Sequence, residues 1–150
     1  MKTTRARLAL SWKYPASQKN VEKLCAAAAQ NLDQISLDGQ DRFAIELLLR
    51  EALNNAVLHG CRQNPGLSFA CQLSISEQSG IIEVSDDGPG FDWRSQPQIS
   101  LDETSESGRG LHIYARYATA IKYNDAGNCV SLTRIFRASE EHHHQGEQDD

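Results

Sequence analysis

Two stretches of the chain each read as a pair of strands folded back on a short turn, and they constrain the fold more than any other feature. Strands near 67–76 and 81–86 are apolar at alternate positions, with Leu67, Phe69, Cys71, Leu73 and Ile75 on one face; Glu77 to Gly80 join them. Strands near 119–124 and 128–137 repeat the arrangement around Asn124-Asp125-Ala126-Gly127. Consecutive strands that pair with each other run antiparallel, which excludes a doubly wound parallel sheet.

The segments before the first hairpin supply the covering layer. Residues 5–12 alternate Ala6, Leu8, Leu10 and Trp12 with smaller or charged residues and read as a strand that Pro15 ends. Ser17 is placed to cap a helix over 18–33 that carries the Ala26–Ala29 run. After a break at Ser36 to Gly39, Asp38 or Asp41 opens a long helix to about Leu58, and Gly60 stops it. Asn64-Pro65-Gly66 marks a turn. From Asp86 to Gly110 the chain is rich in Gly, Asp, Ser and Pro and has neither period; helix resumes over about 110–118. The order β-α-α-β-β-loop-α-β-β predicts an α+β fold. It is a two-layer sandwich, a mixed and mostly antiparallel sheet covered on one face by about three helices.

With 150 residues the chain is one ordinary domain, long enough to bury a core without staples. Its net charge of −5 argues against a dedicated nucleic-acid binder, which would show a basic face. Five of the twenty acids lie in residues 138–150, which hold no Lys or Arg, so residues 1–137 carry fifteen acids and fifteen bases. The reading is a neutral folded body, 1–137, and an acidic disordered tail, 138–150. No apolar run approaches the ~18 residues of a membrane span, and the patch in MKTTRARLALSWKYP is too short for a secretory signal. Cys25, Cys61, Cys71 and Cys129 form no C-x-x-C and read as reduced thiols of a cytoplasmic protein.

Three motifs carry chemistry. In REALNNAVLHG, at about 100° per residue, Glu51, Asn55 and His59 form one stripe along the border of a buried face. A strand over 81–86 runs into Asp86-Asp87-Gly88-Pro89-Gly90-Phe91-Asp92. There a carboxylate at a strand end can accept from a buried donor, and glycines let the backbone come close to a ligand. Finally, Gly108-Arg109-Gly110 leads into a helix, where unpaired N–H groups and the helix dipole favour phosphate. Taken singly, each has an ordinary reading as a solvated helix edge, an acidic turn and a loop hinge.

Taken together, E-A-x-x-N-A-x-x-H-G, D-x-G-x-G-F-D and G-R-G-L resemble the N, G1 and G2 boxes of the GHKL ATPases, whose ATP-binding domain is the Bergerat fold. The short length, the F-D after the second box and the closing G-N-x-V-x-L of Gly127 to Leu132 are most similar to one branch. It is the stand-alone anti-sigma factor and serine-protein kinase branch of the RsbW and SpoIIAB type. The resemblance implies that Glu51 is the general base and that Asn55 gives its side-chain oxygen to Mg²⁺ bridging the phosphates of ATP. It implies that Asp86 binds the adenine amino group, with Gly88 and Gly90 shaping the base pocket. Gly108 and Gly110 present N–H groups to phosphate, Arg109 neutralises phosphate charge, residues 91–107 form a lid, and Thr133 reaches the adenine through water. His59 is read as a structural contact, and His142 to His144 as incidental.

The activity implied is phosphorylation of a serine on a STAS-domain anti-anti-sigma protein, with sequestration of a sigma factor or another target as the alternative state. A binding module whose nucleotide sets partner affinity, with no phosphoryl transfer, is the competing expectation. No nucleic acid or membrane is expected as a direct partner. The family's tendency to dimerise points to a homodimer, with the first strand as an open edge and Trp12 as a contact.

Overall fold

The computed structural model describes residues 6–95 and 106–137. The expected acidic tail lies outside the described residues, as does most of the expected lid. In chain order the elements are β1 (Ala6–Pro15), α1 (Gln18–Leu32), α2 (Gly39–Asn55), a π-helical turn (Ala56–Gly60), β2 (Ser68–Ser76) and β3 (Ser79–Asp86). A short 3₁₀ turn (Trp93–Ser95), α3 (Glu106–Tyr117), β4 (Ala120–Tyr123) and β5 (Cys129–Ile135) follow. The order matches the expected β-α-α-β-β-loop-α-β-β.

Local chemistry explains the helix starts. The Ser17 hydroxyl accepts from the Asn20 N–H at 3.1 Å and caps α1. Of the two aspartates able to open the long helix, Asp38 does so, accepting from Gln40 N at 3.0 Å and Asp41 N at 3.4 Å. Asp41 is instead fully buried, at 0 % exposure, and receives Arg134 Nε at 3.0 Å and the Arg137 N–H at 3.1 Å. That pair ties the start of α2 to the end of β5. β1 runs past the alternating residues 5–12 and ends at Pro15, as expected; an edge strand tolerates a residue without an N–H.

The sheet order is β1-β2-β3-β5-β4 and every pairing is antiparallel, so the expected mixed, mostly antiparallel sheet is wholly antiparallel among the described residues. α3 carries the chain to the far edge, β4 forms there, and β5 returns between β4 and β3. The first residues of β5 thereby lie beside the last residues of β3: Cys129 pairs with Ser85, and Asp86 N donates to Asn128 O at 2.9 Å.

The core lies between the sheet and the helices. Phe69, Cys71, Leu73 and Ile75 of β2 are buried as expected, against Leu24 of α1 and Leu49 of α2, with Tyr114 of α3 in the same layer. On β1 the inward row is Leu8, Leu10, Trp12 and Tyr14, so Trp12 packs partly buried onto the core rather than standing out from the edge. Among the described residues no helix is long and apolar enough to cross a membrane.

Candidate functional site

A cleft of about 220 Å³ opens where the end of α2, the end of β3, α3 and the β4–β5 turn converge. Asn55, His59 and Gly60 line it from the α2 side, and Asp86, Gly90 and Phe91 from the β3 side. Tyr114 comes from α3, and Tyr123, Asn128 and Val130 from the last hairpin. Asn55 and Asp86, both singled out from the sequence, are thus brought to one cavity.

The end of α2 reaches this cavity by widening. Cys61 N bonds back to Ala56 O at 2.7 Å, a π-type closure over Ala56–Gly60. The helical turn ends at Gly60 as expected, but without a positive φ there; Arg62 and Gln63 take the positive φ values of 52° and 58°. Its absent side chain serves space instead. A Cβ on Gly60 would overlap the Asp86 carboxylate, and one on Gly88 would overlap the Gly60 carbonyl oxygen. The helix end and the D-x-G-x-G turn therefore meet backbone to backbone.

A second interlock closes the opposite wall. Gly90 (φ +84°) and Gly127 (φ +80°) both need the left-handed region. A Cβ on Gly90 would strike Ala126 O, and one on Gly127 would strike Phe91 O. Asn124 organises the turn, accepting from the N–H groups of Gly127 (2.8 Å), Asn128 (3.0 Å) and Cys129 (3.2 Å). Asn128 Nδ2 then donates to Gly88 O at 3.2 Å. Residues 91–94 are held onto this turn as well: Trp93 stacks on Tyr123, its Nε1 donates to Asn124 O at 2.8 Å, and Arg94 pairs with Asp125 at 2.8 Å.

Asp86 and Tyr114 face the cleft with shifted acidity. Burial pushes the Asp86 carboxyl above the ordinary carboxylate value; a bond from Gly88 N to Oδ1 at 2.8 Å pulls it back, and the neighbouring Asp87 charge raises it again. Tyr114, 2 % exposed, accepts from Asn55 Nδ2 at 3.0 Å. Burial holds its phenol well above the usual range; the Asn55 bond opposes this, while Tyr123 and then the charge of Glu51 add to the rise.

The remaining expected residues are placed less uniformly. Glu51 is half-buried one turn before Asn55 and is not among the residues lining the cleft. His59 is exposed and lines it. α3 begins at Glu106, earlier than the expected 110, so Gly108 and Gly110 lie within its first turns; the side chain of Arg109 lies outside the described residues. The Gly108 N–H is among those a helix start leaves unpaired, whereas that of Gly110 falls within the helix's own ladder. Thr133 is not brought to the cleft. It pairs with Ile81, which is 41 % exposed, on the face of the sheet away from the helices, because β5 turns Val130 and Leu132 inward.

Sequence reading missed Tyr114, Tyr123 and Asn128 as site residues. The two asparagines flanking Asp125-Ala126-Gly127 were a local signal for the turn. Nothing local signals Tyr114, whose partner is 59 positions away.

Comparison with known proteins adds three findings. A family model described as the histidine kinase-like ATPase domain matches residues 14–134. The serine/threonine-protein kinase BtrW of Bordetella bronchiseptica is 30 % identical over 100 residues, covering 61 % of this chain and 69 % of BtrW. The crystal structure of the RsbU and RsbW domains of a Mycobacterium tuberculosis protein is similar in fold, with a TM-score of 0.56 at 15 % identity. That likeness covers 87 % of this chain and 32 % of the solved one, so this chain spans about a third of the solved chain's length.

Proposed function

The chain belongs to the histidine kinase-like ATPase domain family and has the RsbW-like GHKL fold, and on that premise we propose that it is an ATP-dependent serine-protein kinase acting as a partner-switching regulator of transcription. Its substrate in this reading is a STAS-domain anti-anti-sigma protein, and its sequestered target a sigma factor or another regulator. The observation that carries the reading is the convergence of Asn55 and Asp86 on one cleft, with Glu51 one turn from Asn55 on the same helix.

Asp86 accepts a hydrogen bond from the adenine amino group, in a pocket whose depth depends on the missing side chains of Gly60, Gly88 and Gly90. Asn55 suits Mg²⁺. Its amide nitrogen is engaged by Tyr114, leaving Oδ1 as the end for a hard cation that keeps most of its waters and takes few protein ligands. When bound, Mg²⁺ supplies charge neutralisation of the phosphates. The start of α3 faces phosphate with the unpaired Gly108 N–H and the positive end of its dipole, Arg109 neutralises phosphate charge, and Gly110 keeps the first turn free of a side chain. Glu51 takes the proton of the substrate serine as its oxygen forms a bond to the γ-phosphorus and the bond to the ADP oxygen breaks. Most of the catalysis is positioning and charge neutralisation.

The direct test incubates the protein with γ-labelled ATP and a cognate STAS-domain protein. Label on a serine, lost in Glu51→Ala, is the expected result; no label, or a Glu51→Ala variant equal to wild type, overturns the kinase reading. One observation favours a second reading, a nucleotide-gated binding module without phosphoryl transfer: Glu51 does not line the cleft. In that case a non-hydrolysable ATP analogue supports every measurable activity. The four unpaired cysteines support a cytoplasmic setting for either.

A further inference from the structure

The Asn55 side chain donates to a tyrosine hydroxyl from a different helix. Asn55 lies at the last position of α2, where the α-helix gives way to the π-helical turn, so its backbone borders a change of helical geometry. Tyr114 lies on α3, is 2 % exposed and lines the same cleft. Its hydroxyl meets Asn55 Nδ2 at 3.0 Å.

The two ends of an asparagine amide are not equivalent toward a cation: the oxygen binds it and the NH₂ repels it. A half-turn about the terminal torsion exchanges them, and that torsion is soft. A tyrosine hydroxyl can meet either end of the amide; in the arrangement seen it accepts from the nitrogen, and a cation at the oxygen favours that same arrangement. We infer that Tyr114 is a positioning residue, fixing the Asn55 amide with Oδ1 available for the divalent cation that accompanies the nucleotide. The same bond joins the helix bearing the glycine pair Gly108 and Gly110 to the helix bearing the cation ligand, so cation and phosphate sites are held in one register. This rests on the reading of Asn55 as the Mg²⁺ ligand.

Tyr114→Phe removes the hydroxyl and keeps the ring that fills the core. The measurement is ATP affinity by titration calorimetry, once with Mg²⁺ and once with EDTA, for wild type and variant. The ratio of the two dissociation constants reads the contribution of the cation, and a partial loss of folded protein cancels from it. One hydrogen bond of ordinary net strength corresponds to a fall in that ratio of about three- to tenfold, which is the expected result. A ratio unchanged from wild type overturns the positioning role, even if both affinities weaken together, since Tyr114 is then only a wall of the cleft. A wild-type ratio of one overturns the reading of Asn55 as a cation ligand, and this inference with it.

Discussion

Gly60 lies against the carboxylate of Asp86 with no room for a methyl group between them. The contact joins the end of α2 to the end of β3 and sets the depth of the cleft at its acidic end. Gly60→Ala therefore forces apart two elements that meet backbone to backbone. The expected outcome is a loss of stability of about 1–3 kcal/mol, the usual cost of overpacking, together with at least a tenfold loss of ATP affinity. Urea unfolding and nucleotide titration check the two effects separately.

Asp86 should show the conflict between binding and stability. Its folded carboxyl titrates above its unfolded value, because burial disfavours the charged form. The sign follows from linkage: the stabilising contribution is complete below the unfolded value and is lost as pH rises through the raised folded value. At neutral pH the ionised group is a net cost. Asp86→Asn is expected to unfold at a higher temperature than wild type at pH 7, an advantage that shrinks as pH falls through that window, while ATP affinity drops. Melting curves from pH 4 to pH 8 test it; a variant less stable than wild type at pH 7 refutes it.

Asp41 and Arg134 make the one ion pair with a fully buried partner among the described residues. Removing the carboxylate leaves Arg134 Nε, on a side chain only 14 % exposed, and the Arg137 N–H without their acceptor, while Arg134 Nη1 keeps the Tyr117 carbonyl. Asp41→Ala should cost about 3–5 kcal/mol in urea denaturation, as broken buried pairs do. Its ATP affinity, measured on the protein that remains folded, should stay close to wild type because the pair is remote from the cleft residues.

Residues 138–150 hold five acids and no Lys or Arg, and no motif reaches into them. Truncation after Arg137 is expected to leave ATP affinity unchanged in the same titration. A large loss would show that the tail acts on the nucleotide site.

Much of the fold was legible because its determinants are local. The alternation from Phe69 to Ile75 marks a half-buried strand wherever it occurs, and Ser17 caps α1 through an N–H only three residues away. The three boxes were legible for the same reason, as short spacings on one helix face or around one turn. Thr133 shows the limit. Its place on a late strand was readable, but the face it occupies depends on which of its neighbours β3 draws inward.

What the sequence determined by itself was the order and type of the elements and the residue types of the boxes, since period, caps and turn preferences act over a few residues. Only the tertiary structure decided what those residues meet. It made Gly60, the last residue of the helical turn, also the space that Asp86 fills, made Asp41 a buried anchor for Arg134 across 93 positions, and set Tyr114 against Asn55. Contacts between segments far apart in the chain are chosen by how the whole sheet and its helices pack, and no short window of sequence contains both partners.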